Sequence, residues 1–243
     1  MQLFGREPSH FHIAARVVAQ LGFDGVDLNF GCPDKSVSGK QGAGSALIAE
    51  PTLAQDIVLA AKAGVAEGSK LAGLSEPIPV SVKTRIGVTS DVLDTWLQSL
   101  MVRSARRGCA AARGACRQGE GVASLCSWGG MMFLVCLVVL YLMVMMDAWL
   151  PHTPPHHQDV RPASITIHGR TRQEMSRVPA HWDVIARGAA AVRASGLPIV
   201  YMGNGDAMSY AHALDLAAAH GVDGVMMGRA SFGTPWLFDE RCV

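Results

Sequence analysis

Three short apolar runs each end on a polar residue that could do chemistry: Asn29 after Val26-Asp27-Leu28, Lys83 after Val80-Ser81-Val82, and His168 after Ile165-Thr166-Ile167. An amide, a cation and an imidazole at the tips of neighbouring strands would converge on one site. Just past the first of these tips stands Cys32, between Gly31 and Pro33. A free thiol ordinarily stays protonated at neutral pH yet gives up its proton readily, so the residue type is able to act as an acid. The ordinary alternative is a small buried core residue, and a flanking glycine and proline argue against it. Two later runs end in small residues with one arginine, Gly203-Asn204-Gly205-Asp206 and Met227-Gly228-Arg229. Glycines let backbone N–H groups approach an anion and arginine adds a forked positive charge, so the pair reads as a phosphate cup. Either loop alone is equally well a tight turn.

These residues need a scaffold that brings strand ends together. The pattern predicts strands over residues 2–4, 25–29, 79–83, 164–168, 198–203 and 224–228, alternating with helices. Helical spacing joins Ala14, Val17, Val18 and Leu21; Ala54, Ile57, Val58 and Ala61; Leu93, Trp96, Leu97 and Leu100; and Tyr210, Ala213, Leu214 and Ala217. Side chains alternate along a strand, so Val26 and Leu28 share one face while Asp27 and Asn29 share the other. Ser81 with Lys83, and Thr166 with His168, repeat that division. One face is apolar and the other turns polar at its C-terminal tip, as in a TIM (β/α)8-type barrel whose active site lies at the C-terminal rim. A doubly wound sheet would call for a glycine fingerprint, and residues 203–208 lack its third glycine.

A length of 243 residues suits one large α/β domain, and a net charge of +1 leaves no overall electrostatic signature for nucleic acid. The six cysteines show no paired framework, which points to a reducing compartment. The first residues carry neither signal-peptide nor transit-peptide character, so the expected location is cytoplasmic or organellar.

The run Val26-Asp27-Leu28-Asn29-Phe30-Gly31-Cys32-Pro33 with Gly42-Ala43-Gly44 resembles the signature loop of tRNA-dihydrouridine synthases. Further motifs follow in that family's order: Val80-Ser81-Val82-Lys83-Thr84-Arg85, Ile167-His168-Gly169-Arg170-Thr171-Arg172, Gly203-Asn204-Gly205-Asp206, and Met227-Gly228-Arg229 with Pro235-Trp236-Leu237-Phe238. The likeness spans residues 1–101 and 159–238. It implies an FMN-dependent barrel that reduces uridine to dihydrouridine in tRNA, with NADPH or NADH as reductant. Cys32 would be the catalytic acid that protonates C5 of the uracil. Gln2, Asn29, Lys83 and His168 would contact the flavin, Asn29 alternatively the uracil, while Asn204, Gly205, Asp206, Gly228 and Arg229 would hold its phosphate. Arg170 and Arg172 would either meet RNA phosphates or stand as solvated surface arginines. No metal and no stable protein partner are implied. The resemblance also sets the chain's start at the third strand of the barrel and its end before a helical RNA-binding domain, giving about six of eight strands. Other readings are an FMN barrel acting on a free pyrimidine, of the dihydroorotate dehydrogenase kind, or an inactive fragment.

Residues 102–158 match nothing in that family and divide the barrel domain into 1–101 and 159–243. Lys83 and His168 stand 85 positions apart, and removing the segment leaves 28, in line with 36 from His168 to Asn204 and 24 from Asn204 to Gly228. Its composition shifts from Arg/Gly/Ala/Cys-rich to wholly apolar to Pro/His-rich. Valine codons begin with GT and one glutamine codon is CAG, the usual intron borders, so the segment reads as a retained intron or gene-model error. Two rivals are a membrane hairpin from the 16 apolar residues 131–146, short of the roughly 20 a bilayer needs, and a metal site from His152, His156 and His157, which lack defined ligand spacing.

Overall fold

The computed structural model describes residues 1–102, 159–234 and 236–238. The short apolar runs form six strands among the described residues: β1 (Gln2–Leu3), β2 (Val26–Phe30), β3 (Val80–Arg85), β4 (Ser164–His168), β5 (Val200–Asn204) and β6 (Gly224–Met226). All pair in parallel and in chain order. Helices α1 (Pro8–Gln20), α2 (Pro51–Leu71), α4 (Trp182–Ala194) and α5 (Tyr210–His220) cross between successive strands, and α3 (Leu93–Met101) follows β3. A doubly wound sheet reverses its strand order at a switch point, whereas this one never does. The fold is thus a (β/α)8-type barrel with six strands, open between β1 and β6 among the described residues.

The strand alternation read from sequence is what packs the core. Val26, Leu28, Phe30, Val80, Val82, Ile165 and Ile167 are buried, while Asp27, Asn29, Ser81 and Lys83 on the opposite face are only half-buried. Ala54, Ile57, Val58 and Ala61 of α2 are buried against this face as expected, and so are Leu93, Trp96, Leu97 and Leu100 of α3. Trp96 is the largest fully buried side chain among the described residues. Its Nε1 donates to Thr84 Oγ1 at 3.1 Å, and Thr84 in turn donates to the Phe30 carbonyl at 3.1 Å.

The face of α1 differs from the expected one. Phe11, Ala15, Val18 and Ala19 are buried, whereas Val17 and Leu21 are exposed. The reason lies in α2, where a Cβ added at Gly64 would stand 2.2 Å from the His12 carbonyl oxygen and one at Gly68 2.3 Å from that of Arg16. Backbones this close, with Ala19 Cβ 2.9 Å from a Cβ at Gly68, fix the rotation of α1 so that Phe11, Ala15, Val18 and Ala19 face inward while Val17 and Leu21 turn outward. In α5 the expected face is half realised: Ala213 is buried and Ala217 packs on the core, but Leu214 is exposed.

Candidate active site

The tip of β2 builds the loop that carries Cys32. Asn29 Oδ1 accepts the backbone N–H of Gly31 at 3.1 Å and of Cys32 at 2.9 Å, a local turn typical of asparagine. Its Nδ2 donates to Gln2 Oε1 at 3.1 Å, and Gln2 Nε2 donates to Asp27 Oδ2 at 2.7 Å. Ser81 Oγ donates to the other Asp27 oxygen at 2.7 Å. A carboxylate only accepts, so Asp27 sets the direction of both amides, and Asn29 retains one free N–H to offer a ring. From the far side, Ser45 donates to the Cys32 carbonyl through its N–H at 3.1 Å and its hydroxyl at 2.8 Å. Gly44 permits this approach: its φ is +57°, and a Cβ there would lie 2.9 Å from the Cys32 carbonyl oxygen. Cys32 itself is half-buried.

Arg85, without an expected role from its sequence position, takes one in the structure. Its Nε donates to the Gly31 carbonyl at 2.8 Å and its Nη1 to the Thr171 carbonyl at 3.1 Å, tying the Cys32 loop to the loop after β4. Strand periodicity held the signal, because Arg85 shares the polar face of Ser81 and Lys83.

Lys83 pairs in register with Asn29, and its Nζ donates across the sheet to Asn204 Oδ1 at 3.1 Å. Asn204 Nδ2 donates onward to the Met226 carbonyl at 2.7 Å. Burial, then the charge of Arg85, pushes the Lys83 ammonium down to about 8, with Asp27 opposing. His168 pairs with Arg85 on one side and Asn204 on the other. Burial first, then Arg85, Lys83 and Arg170, pushes its imidazole down to about 3 against the pull of Asp206, so it is neutral at physiological pH. The depressed Lys83 value makes a stability prediction whose sign is fixed. Between 8 and the ordinary 10.5 the unfolded chain holds the proton that folded Lys83 has lost, so stability rises with pH across that window. Urea unfolding should show this rise in the parent relative to Lys83→Met, and parallel pH profiles would refute the burial of a cation here.

The loops after β5 and β6 enclose a cavity of about 220 Å³ lined by His168, Asn204, Gly205, Gly228 and Arg229 among others. A larger one of about 440 Å³ opens around Pro79, Pro162 and Pro198, at the start of the strands and away from these residues. Asp206, expected at a phosphate, has both carboxylate oxygens engaged within the protein. It accepts from Arg170 Nη2 at 2.7 and 2.6 Å, from Arg229 Nη2 at 2.9 Å and from the Ala180 N–H at 2.8 Å. Burial raises its carboxyl, but these hydrogen bonds and charges outweigh that and hold it below the usual range. Arg170, expected at RNA phosphates, is instead 3% exposed, because its guanidinium is drawn inward by Asp206. Arg172 is half-buried, and its backbone N–H donates to the Gly87 carbonyl at 2.9 Å. Arg229 stays 65% exposed at the cavity mouth.

The family model for dihydrouridine synthase (Dus) matches residues 1–111 and 162–243. The chain belongs to the dihydrouridine synthase family. It is 31% identical over 240 residues to the "Probable tRNA-dihydrouridine synthase 2" of Bacillus subtilis strain 168, which covers 98% of this chain and 52% of that protein. The "Probable tRNA-dihydrouridine synthase" of Staphylococcus aureus strain Mu50 gives the same identity and coverage. The chain thus spans about half the length of the curated relatives it matches. Family membership favours the synthase reading of this rim over a barrel of the dihydroorotate dehydrogenase kind. Among the described residues no helix is long and apolar enough to cross a membrane.

Proposed function

We propose that this chain is the catalytic barrel of an FMN-dependent enzyme that reduces uridine to dihydrouridine in tRNA, with NADPH or NADH as electron source. The observation that carries this reading is the meeting, at one end of the sheet, of the Cys32 loop, the Lys83–Asn204 pair, His168 and the β5 and β6 loops. The donor set fits FMN. A cation at Lys83 and neutral donors at Gln2, Asn29 and His168 suit the ring, and the cavity between Gly205 and Gly228, with Arg229 at its mouth, suits the phosphate. Asp206 would serve that phosphate indirectly, by aiming Arg229 and shaping the turn.

FMN, when bound, supplies the hydride that adds to C6 of the uracil. Cys32 gives its thiol proton to C5, completing the saturated C5–C6 bond, and the thiolate regains a proton from solvent. Asn29 and Arg85 hold the Cys32 loop in place, so little reorientation accompanies proton transfer. Lys83 offers fixed positive charge where the ring system gains electrons. Arg172, partly accessible beside the rim, is the arginine left to meet an RNA phosphate.

The purified protein supplemented with FMN should carry flavin through gel filtration, and a colourless product would sink the proposal. Arg229→Ala should weaken FMN about ten-fold or more, the scale of a charge-assisted hydrogen bond, with normal chemistry in the loaded fraction. Equal affinity in variant and parent would remove Arg229 from the phosphate site.

We also infer that residues 102–158, of which 103–158 with both rival readings lie outside the described residues, do not belong to the barrel and derive from a retained intron or gene-model error. The apolar face of α3 is complete by Leu100, and Val160 is already in the core. Ala163 then donates to the Val80 carbonyl at 2.8 Å as the chain enters β4. Reverse-transcription sequencing across the segment should find transcripts that join the codons of Met101 and Asp159. If nearly all transcripts contain it, or a tryptic peptide of the native protein does, this inference fails.

A further inference from the structure

We propose that Arg170 is a positioning residue that couples the two halves of the site, holding His168 as the tautomer protonated on Nδ1 and locking the Gly205–Asp206 turn. The inference deepens the flavin reading and rests on it. A guanidinium carries five N–H donors and no acceptor. Arg170 Nη1 stands 3.2 Å from His168 Nε2, and two donors cannot face each other, so Nε2 presents its lone pair and the ring proton sits on Nδ1. A doubly protonated ring would lose that contact while facing Lys83, Arg85 and Arg170, with Asp206 as the acid opposing them. His168 therefore offers a ligand an uncharged Nδ1–H donor.

The same guanidinium anchors the phosphate side. Its Nη2 holds both oxygens of Asp206, and its Nε donates to the Val178 carbonyl at 2.6 Å. Asp206 has a left-handed φ of 56°, a conformation uncommon outside glycine but one that aspartate tolerates when hydrogen bonds hold it there. The bonds from Arg170, Arg229 and the Ala180 N–H do so. They also offset the carboxylate charge beside the proposed phosphate. One buried side chain thus sets the donor pattern at the ring end and the backbone at the phosphate end.

The test reads the tautomer directly, by two-bond ¹H–¹⁵N correlation in the full chain without flavin, with the His168 resonance assigned by its loss in His168→Gln. The parent should show the Nδ1–H pattern and no imidazole titration between about pH 5 and 8. Arg170→Met would leave the Asp206 carboxylate without its inner partner and could unfold the loop, so Arg170→Lys carries the comparison. Lysine keeps a cation opposite Asp206 but cannot serve His168 and Val178 as well. It should give mixed tautomers and about ten-fold weaker FMN binding, followed by flavin fluorescence. A parent His168 protonated on Nε2 overturns the proposal. So does an Arg170→Lys variant with unchanged tautomer and FMN affinity; a raised KM for tRNA alone would instead return Arg170 to the RNA surface. If the parent binds no FMN, the flavin reading falls by itself, and the tautomer still decides whether Arg170 holds His168.

Discussion

Cys32→Ala is expected to cut tRNA uridine reduction by about 10²–10⁴-fold, the usual contribution of a positioned general acid, while FMN affinity stays at the parent's value. The separation follows from geometry. The loop is held through main-chain groups, with Asn29 Oδ1 on the Gly31 and Cys32 N–H, Arg85 on the Gly31 carbonyl and Ser45 on the Cys32 carbonyl. Removing Sγ leaves every one of those bonds in place. Of the proposed ring and phosphate contacts only Asn29 shares β2 with that loop, and its own hydrogen bonds do not involve Sγ; the others lie on other strands and loops. Single-turnover reduction of tRNA by the pre-reduced enzyme is the decisive measurement, because it isolates the step in which C5 gains its proton. Parent-like rates in the variant would take Cys32 out of the mechanism, and a colourless variant would mean that the thiol serves the cofactor instead.

Trp96→Ala should destabilise the fold by about 3–5 kcal/mol, the range for deleting a large buried aromatic. Trp96 is 1% exposed, its ring centroid lies 6.3 Å from that of Phe30, and its Nε1 donates to Thr84 Oγ1. Alanine would leave a cavity beneath β2 and β3 and take one partner from buried Thr84, directly behind Lys83 and the Cys32 loop. The variant should therefore lose FMN affinity along with stability, unlike Cys32→Ala. Urea unfolding with matched m-values reads the stability loss. A cost below about 1 kcal/mol would mean that α3 contributes little to the core behind the site.

Much of this arrangement was legible in the chain itself because it depends on local periodicity. Alternation of apolar and polar residues along Val26–Phe30 and Val80–Arg85 assigns each side chain to a face before any partner is known. That is why Asn29, Lys83 and His168 could be placed on one rim, and why the 3.6-residue spacing of Leu93, Trp96, Leu97 and Leu100 named the buried side of α3. Cys32, flanked by Gly31 and Pro33 just past a strand tip, was likewise readable as a loop residue. The inner face of α1 was not, since it depends on how closely α2 approaches at Gly64 and Gly68. Nor were the fates of the arginines. Arg170 looks free in sequence, but its partner Asp206 lies 36 positions away, and Arg85 finds Gly31 at a separation of 54. A charged side chain goes where desolvation is best compensated, and only the assembled sheet brings those carbonyls and carboxylates within reach. Periodicity in the sequence thus determined which residues point toward the rim, and long-range packing decided which of them line the cavity and which hold the others in place.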